Sequence, residues 1–143
     1  MGFSRNAPGS DNRSASQAGA SPIKASMYFA YGRDAREGIR SRTTFDAILA
    51  GERTSTTRFP AWPGYQRWTQ LKAGERVRFY ADREMRGRYV DVVVDSIEPI
   101  NLATCSSERL EEWSKAEGWS PAHGRATGKR MGAGLQIRYR LAD

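Results

Sequence analysis

The chain has 143 residues, 38% hydrophobic and 27% charged, with a formal net charge of +7. That length suits one domain able to fold without covalent staples, and the basic balance points to an anionic partner. A single cysteine (Cys105) excludes a disulfide framework or a multi-thiolate zinc site, and a single histidine (His123) excludes any metal site or dyad that needs two. No apolar run approaches the roughly 18 residues of a membrane span, so no membrane partner is expected, and no residue pattern calls for a metal or other cofactor.

Residues 1–26 are rich in Gly, Ser, Ala, Asn and Pro, and Phe3 and Ile23 are their only large apolar side chains. Such a stretch buries too little surface to offset its conformational entropy and reads as a disordered tail preceding a domain over residues 27–143. It has no apolar core of a secretory signal, and Asn6 stands where a myristoylation site has Ser or Thr, so a cytoplasmic location is expected.

Met27–Tyr31, an apolar-aromatic run ending at Gly32, reads as the first strand. Thr43 to Ala50 reads as a short helix: Thr43 and Asp46 resemble a capping box, Phe45, Ile48 and Leu49 share a face, and Gly51 supplies the stop. Arg53–Arg58 is rich in β-branched residues and suits a strand, Phe59–Gly64 is loop chemistry, and Tyr65–Leu71 has room for one or two helical turns. Two strands with period two follow. Val77, Phe79 and Ala81 share one face of the first against Arg76, Arg78 and Tyr80 on the other, and Val90, Val92 and Val94 face inward on the second, after a turn at Met85–Arg88. Ser106–Glu117 reads as a helix with Leu110, Trp113 and Glu117 on one face and Gly118 as its cap. Arg125, Lys129 and Arg130, set among Gly124, Gly128, Gly132 and Gly134, read as a flexible basic loop suited to phosphate contact. Its Gly-Arg-Ala-Thr-Gly-Lys-Arg run lacks the spacing and the Ser/Thr after Lys of a P-loop, which excludes a nucleotide triphosphatase. Leu135–Leu141 alternates as the last strand. Five or six short strands with two or three helices predict an α+β fold, a small antiparallel β-barrel flanked by helices.

The stretch from Phe45 to Arg58 resembles the signature of the ASCH domain, a family of the PUA-like superfamily of small β-barrels linked to RNA. The family motif, Gly-x-Lys-x-x-Glu-x-Arg after a short helix, is met here by Gly51 and Arg58, with Arg53 in place of the lysine and Thr56 in place of the glutamate. The turn Lys72–Val77, the valine-rich strand and Ala116-Glu117-Gly118 follow in family order. The Thr56 position makes the chain look closest to the branch of small N4-acetylcytidine amidohydrolases. Their working Lys, Thr and Glu fall on Arg53, Thr56 and Glu117. The resemblance thus implies a catalytic set of Thr56, Glu117 and Arg53. One departure matters chemically: arginine stays protonated, so Arg53 cannot take the threonine's proton, although it can bind phosphate or an oxyanion.

Two functions from different classes fit these residues. The first is an RNA- or nucleoside-binding domain with a basic cleft around Gly51, Arg53 and Arg58; its other candidate contacts are Trp62, Tyr65, Trp68, Lys72, Arg125, Lys129 and Arg130. Aromatics interleaved with cations stack bases and neutralise backbone, so the expected partner is single-stranded RNA or a modified nucleoside. The second is a metal-free hydrolase, an N4-acetylcytidine-type amidohydrolase or an RNA-processing enzyme, with Thr56 and Glu117 in its site. Ordinary readings stand beside both: the tryptophans as core plugs, the arginines as a solvated strand face, Glu117 as a structural ion-pair partner, and the domain as a protein-interaction module.

Overall fold

The structure, a computed structural model, describes residues 21–30 and 36–143. In chain order its elements are β1 (Ile23–Tyr28), α1 (Thr44–Leu49), β2 (Ser55–Arg58), α2 (Tyr65–Trp68), β3 (Arg76–Tyr80), β4 (Tyr89–Ile100), α3 (Ser107–Glu117), α4 (Pro121–Met131) and β5 (Gly134–Leu141). The five strands form one sheet in the order β1-β3-β4-β5-β2, with β1 parallel to β3 and the other pairs antiparallel. With its four helices this is an α+β fold.

The sheet is open, which corrects the expected barrel. Strands β1 and β2 are its two ends and do not pair with each other. The end of α3 lies beside the start of β2, where the amide of Thr54, the residue before the strand, donates to the Ala116 carbonyl at 2.7 Å. A second correction lies at the start: β1 begins at Ile23, inside the segment read as a tail, and pairs with β3 through Tyr28. Tyr31, the expected end of that strand, lies outside the described residues, as do residues 1–20.

Strand alternation sets the core. Val77 and Phe79 of β3 and Val92 and Val94 of β4 are buried with Met27, Phe29, Phe45, Ile48, Trp68, Leu71, Ile137 and Tyr139. A bulge between Val94 and Ser96 shifts the phase of β4, so that Ile97 takes the next position against this core. The strand then runs on through Pro99. Beyond Val93 its strand neighbour among the described residues is β5 alone, so one side is an edge where proline's missing N–H costs no ladder bond. A second cluster, of Phe59, Ile100, Leu102, Leu110 and Trp113, holds α3 against the other side of β2 and β5.

Caps end the helices as their sequences imply. Thr43 Oγ1 accepts from the Asp46 amide at 3.1 Å at the start of α1, and Gly51, just beyond its end, takes φ +75°. Gly118 ends α3 at φ +78°, a conformation glycine adopts without strain.

The expected basic loop is a helix, α4. Ser120 caps it, accepting from the His123 amide at 3.1 Å, and Pro121 occupies its first turn. Its glycines at four-residue spacing serve close packing rather than flexibility. A Cβ at Gly128 would lie 2.3 Å from the Ala103 nitrogen, and one at Gly124 would lie 2.5 Å from the Trp113 ring. Among the described residues no helix is long and apolar enough to cross a membrane.

Candidate functional site

Because β2 is a sheet edge with alternating side chains, Thr56 points to one face while Ser55 and Thr57 point to the other, where α3 lies. Arg53, just before the strand, and Glu117, in the last turn of α3, meet beside that edge. Arg53, Thr56 and Glu117 are 3%, 1% and 1% exposed. Burial of that degree for two charges demands partners, and they have them. Arg53 Nη2 donates to Thr56 Oγ1 at 3.1 Å and stands 3.7 Å from Glu117 Oε1. Arg53 Nε donates to the Ser55 carbonyl at 3.0 Å. Glu117 Oε2 accepts from both Ser55 Oγ and Thr57 Oγ1, each at 2.8 Å. Trp113 Nε1 donates to Thr57 Oγ1 at 2.9 Å.

One nitrogen of this group stands apart. Arg53 Nη1 is buried and makes no hydrogen bond. An unmade bond at a buried guanidinium is costly. The guanidinium is held in place by rings, lying 5.2 Å from the Phe29 centroid and 5.7 Å from that of Trp119.

Arg53, Thr56 and Glu117 line one cavity of about 110 Å³. Its walls include Trp62 from the loop after β2, Trp119 from the α3–α4 connection, and His123 and Arg130 from α4. The His123 ring stacks on Trp119 at 4.6 Å, with 16° between the planes. Engineered apolar cavities of about 150 Å³ accept benzene, so this space is of single-ring size; a base pair or a folded peptide is too large for it.

The other sequence candidates are not gathered here. Gly51 is the turn that ends α1. Arg58 lies beside the site, its guanidinium 5.0 Å from Phe29 and 5.9 Å from Trp62. Trp68 is core, and Tyr65 packs partly against that core. Lys72 is exposed in the turn before β3, its amide donating to Glu75 at 2.9 Å. Arg125 Nη1 donates to the Leu102 carbonyl at 3.0 Å, which ties α4 to the body. Lys129 is exposed on α4. Sequence reasoning passed over Trp119, His123 and the buried Gln136. Trp119 sits in a three-residue connection with no periodicity to orient it, and His123 lay in the segment misread as loop.

No family model matches the chain, and no curated protein matches it significantly. Solved structures do. A protein of Enterococcus faecalis from the DUF984 family superposes with a TM-score of 0.53 at 15% identity, covering 85% of this chain and 77% of that one. The ASCH domain of Lactobacillus crispatus gives 0.50 at 12%, covering 85% and 80%. A serine-to-alanine variant of the ASCH protein of Zymomonas mobilis gives 0.52 at 14%, covering 85% and 70%. The chain has the fold of ASCH domains.

Proposed function

We propose that this ASCH-like fold binds the base of a single-stranded RNA or of a modified nucleoside in the Arg53–Thr56–Glu117 cavity. The observation that carries the reading is a cavity of ring size whose lining brings Arg53, Thr56 and Glu117 together with Trp62 and Trp119. A base brings ring-carbonyl and ring-nitrogen acceptors to the donors that line this cavity, and Trp62 offers it an aromatic face. Arg130 at the cavity wall and the exposed Lys129 on the same helix suit the phosphates flanking such a base. The test is a titration of cytidine, N4-acetylcytidine and a short pyrimidine RNA against the protein and its Trp62→Ala variant. Loss of about 1–3 kcal/mol of binding with melting nearly unchanged supports the reading. Equal affinity for both proteins, or no binding by either, overturns it.

A second reading, hydrolysis of an acylated base, draws on Thr56 lying within hydrogen-bond reach of a guanidinium able to hold an oxyanion. The same bond argues against rapid turnover. Arg53 is only a donor to Thr56, and the same nitrogen stands 3.7 Å from Glu117 Oε1 while Oε2 takes two other hydroxyls. The natural protein should therefore show little deacetylation of N4-acetylcytidine, and Arg53→Lys should raise it, because lysine has a titratable head. Thr56→Ala should abolish that gain. Chromatography of the product decides: strong turnover by the natural protein makes the enzyme reading the better one.

A further inference from the structure

Three residues of α3 at four-residue spacing, Arg109, Trp113 and Glu117, lie over one row of the sheet, and each bonds to it. Arg109 donates to Gln136 Oε1, Trp113 donates to Thr57, and Glu117 accepts from Ser55 and Thr57. In that row Gln136 pairs with Thr57 of β2 on one side and with Glu98 of β4 on the other. Gln136 is fully buried, and its Nε2 donates to Ser55 Oγ at 2.9 Å.

The chemistry of the end groups fixes the direction of every bond. Guanidinium and indole N–H groups only donate. Arg109 and Arg138 both address Gln136 Oε1, so the amide nitrogen must face Ser55. Ser55 Oγ receives that hydrogen and spends its own on Glu117 Oε2. Trp113 forces the same on Thr57. Two chains of donors therefore converge on one carboxylate oxygen, leaving Oε1 alone on the side of Arg53.

We propose that Gln136 is a positioning residue for the base-binding site, which acts through Ser55 to hold the Glu117 carboxylate with Oε2 engaged and Oε1 turned to Arg53 and the ligand. The inference rests on the function proposed above. It also links the site to a remote group, because Arg109 and Arg138 are held by Glu98 and Glu112 at 3.0–3.4 Å. The pocket's acceptor is thus oriented from an ion cluster toward the other end of α3, along the same sheet-facing side.

The test compares Gln136→Leu, Ser55→Ala, the double variant and Gln136→Glu. The last keeps size and the acceptor for Arg109 but replaces the donor to Ser55. Cytidine is the ligand. Each single variant should bind about tenfold more weakly and the double variant no more weakly than either, because both break one chain. Gln136→Glu, in which the Ser55 hydroxyl turns to residue 136, should bind as weakly as Gln136→Leu. A hundredfold loss in the double variant, or cytidine binding by Gln136→Glu equal to that of the natural protein, overturns the proposal. The second readout needs no ligand. In proton NMR of the folded variants, Gln136→Leu should shift the Thr57 hydroxyl and Trp113 indole resonances, although neither side chain bonds to the Gln136 side chain. Unmoved resonances overturn the relay, while absence of cytidine, N4-acetylcytidine and RNA binding by the natural protein overturns only the base-binding reading.

Discussion

Arg53 and Glu117 are worth more together than apart. Each is buried, so removing one leaves the other as an uncompensated charge in a low-dielectric site. Glu117→Ala should therefore destabilise the fold by about 3–5 kcal/mol, while Glu117→Gln, which keeps an acceptor for Ser55 and Thr57, should cost less. Urea denaturation of the two variants checks the order. Tyr139 gives a pH signature. Its hydroxyl donates to the Arg53 carbonyl at 3.1 Å, and burial pushes its phenol well above the usual tyrosine range. The folded phenol thus holds its proton more tightly than the unfolded one, whose value is about 10. Its contribution to stability is complete below that pH and is lost as the pH climbs beyond it. Tyr139→Phe should flatten this alkaline decline at a cost of about 1 kcal/mol near neutrality, read from melting curves across pH. Arg53, Thr56 and Glu117 were legible in the sequence because a motif and a helix face each point somewhere. Gln136 was not: in an alternating strand it sits where a solvent-facing polar residue belongs, and only the arrival of α3 buries it.

At the scale of elements, strands with strict alternation and helices with both caps written out were legible to within a few residues. The failure at α4 came from reading glycine as a breaker. In isolation that is sound, since each glycine weakens a helix by about 1 kcal/mol relative to alanine. Here Gly124 and Gly128 let α4 approach Trp113 and the Leu102–Ala103 backbone, and packing overrides propensity. Gly128→Ala should accordingly lower stability by about 1–3 kcal/mol, despite its better helix propensity, because the atom it meets is backbone and cannot rotate away. A higher melting temperature for this variant would show that α4 has room to shift.

Over the whole molecule, the charge of +7 should make RNA binding salt-sensitive, with a log–log slope of about −0.7 for each phosphate contacted. Affinity measured at several salt concentrations tests this, and a flat line would leave only the base contacts. The open sheet was not legible, because period two reports which face is buried but not whether the two end strands meet. The order of that sheet has a consequence for biosynthesis. Strand β2 carries Ser55, Thr56 and Thr57, yet among the described residues its strand partner is β5, which pairs Leu135 with Arg58. A ribosome adding about 5–20 residues per second needs about 4–15 s to make the chain between them. Throughout that interval the nascent pocket has its threonines and its arginine but no neighbouring strand, no Gln136 and, for most of it, no Glu117. The site is therefore assembled only after β5 emerges, and a polypeptide stalled before Gly134 presents an unpaired strand edge to chaperones and proteases instead of a binding pocket.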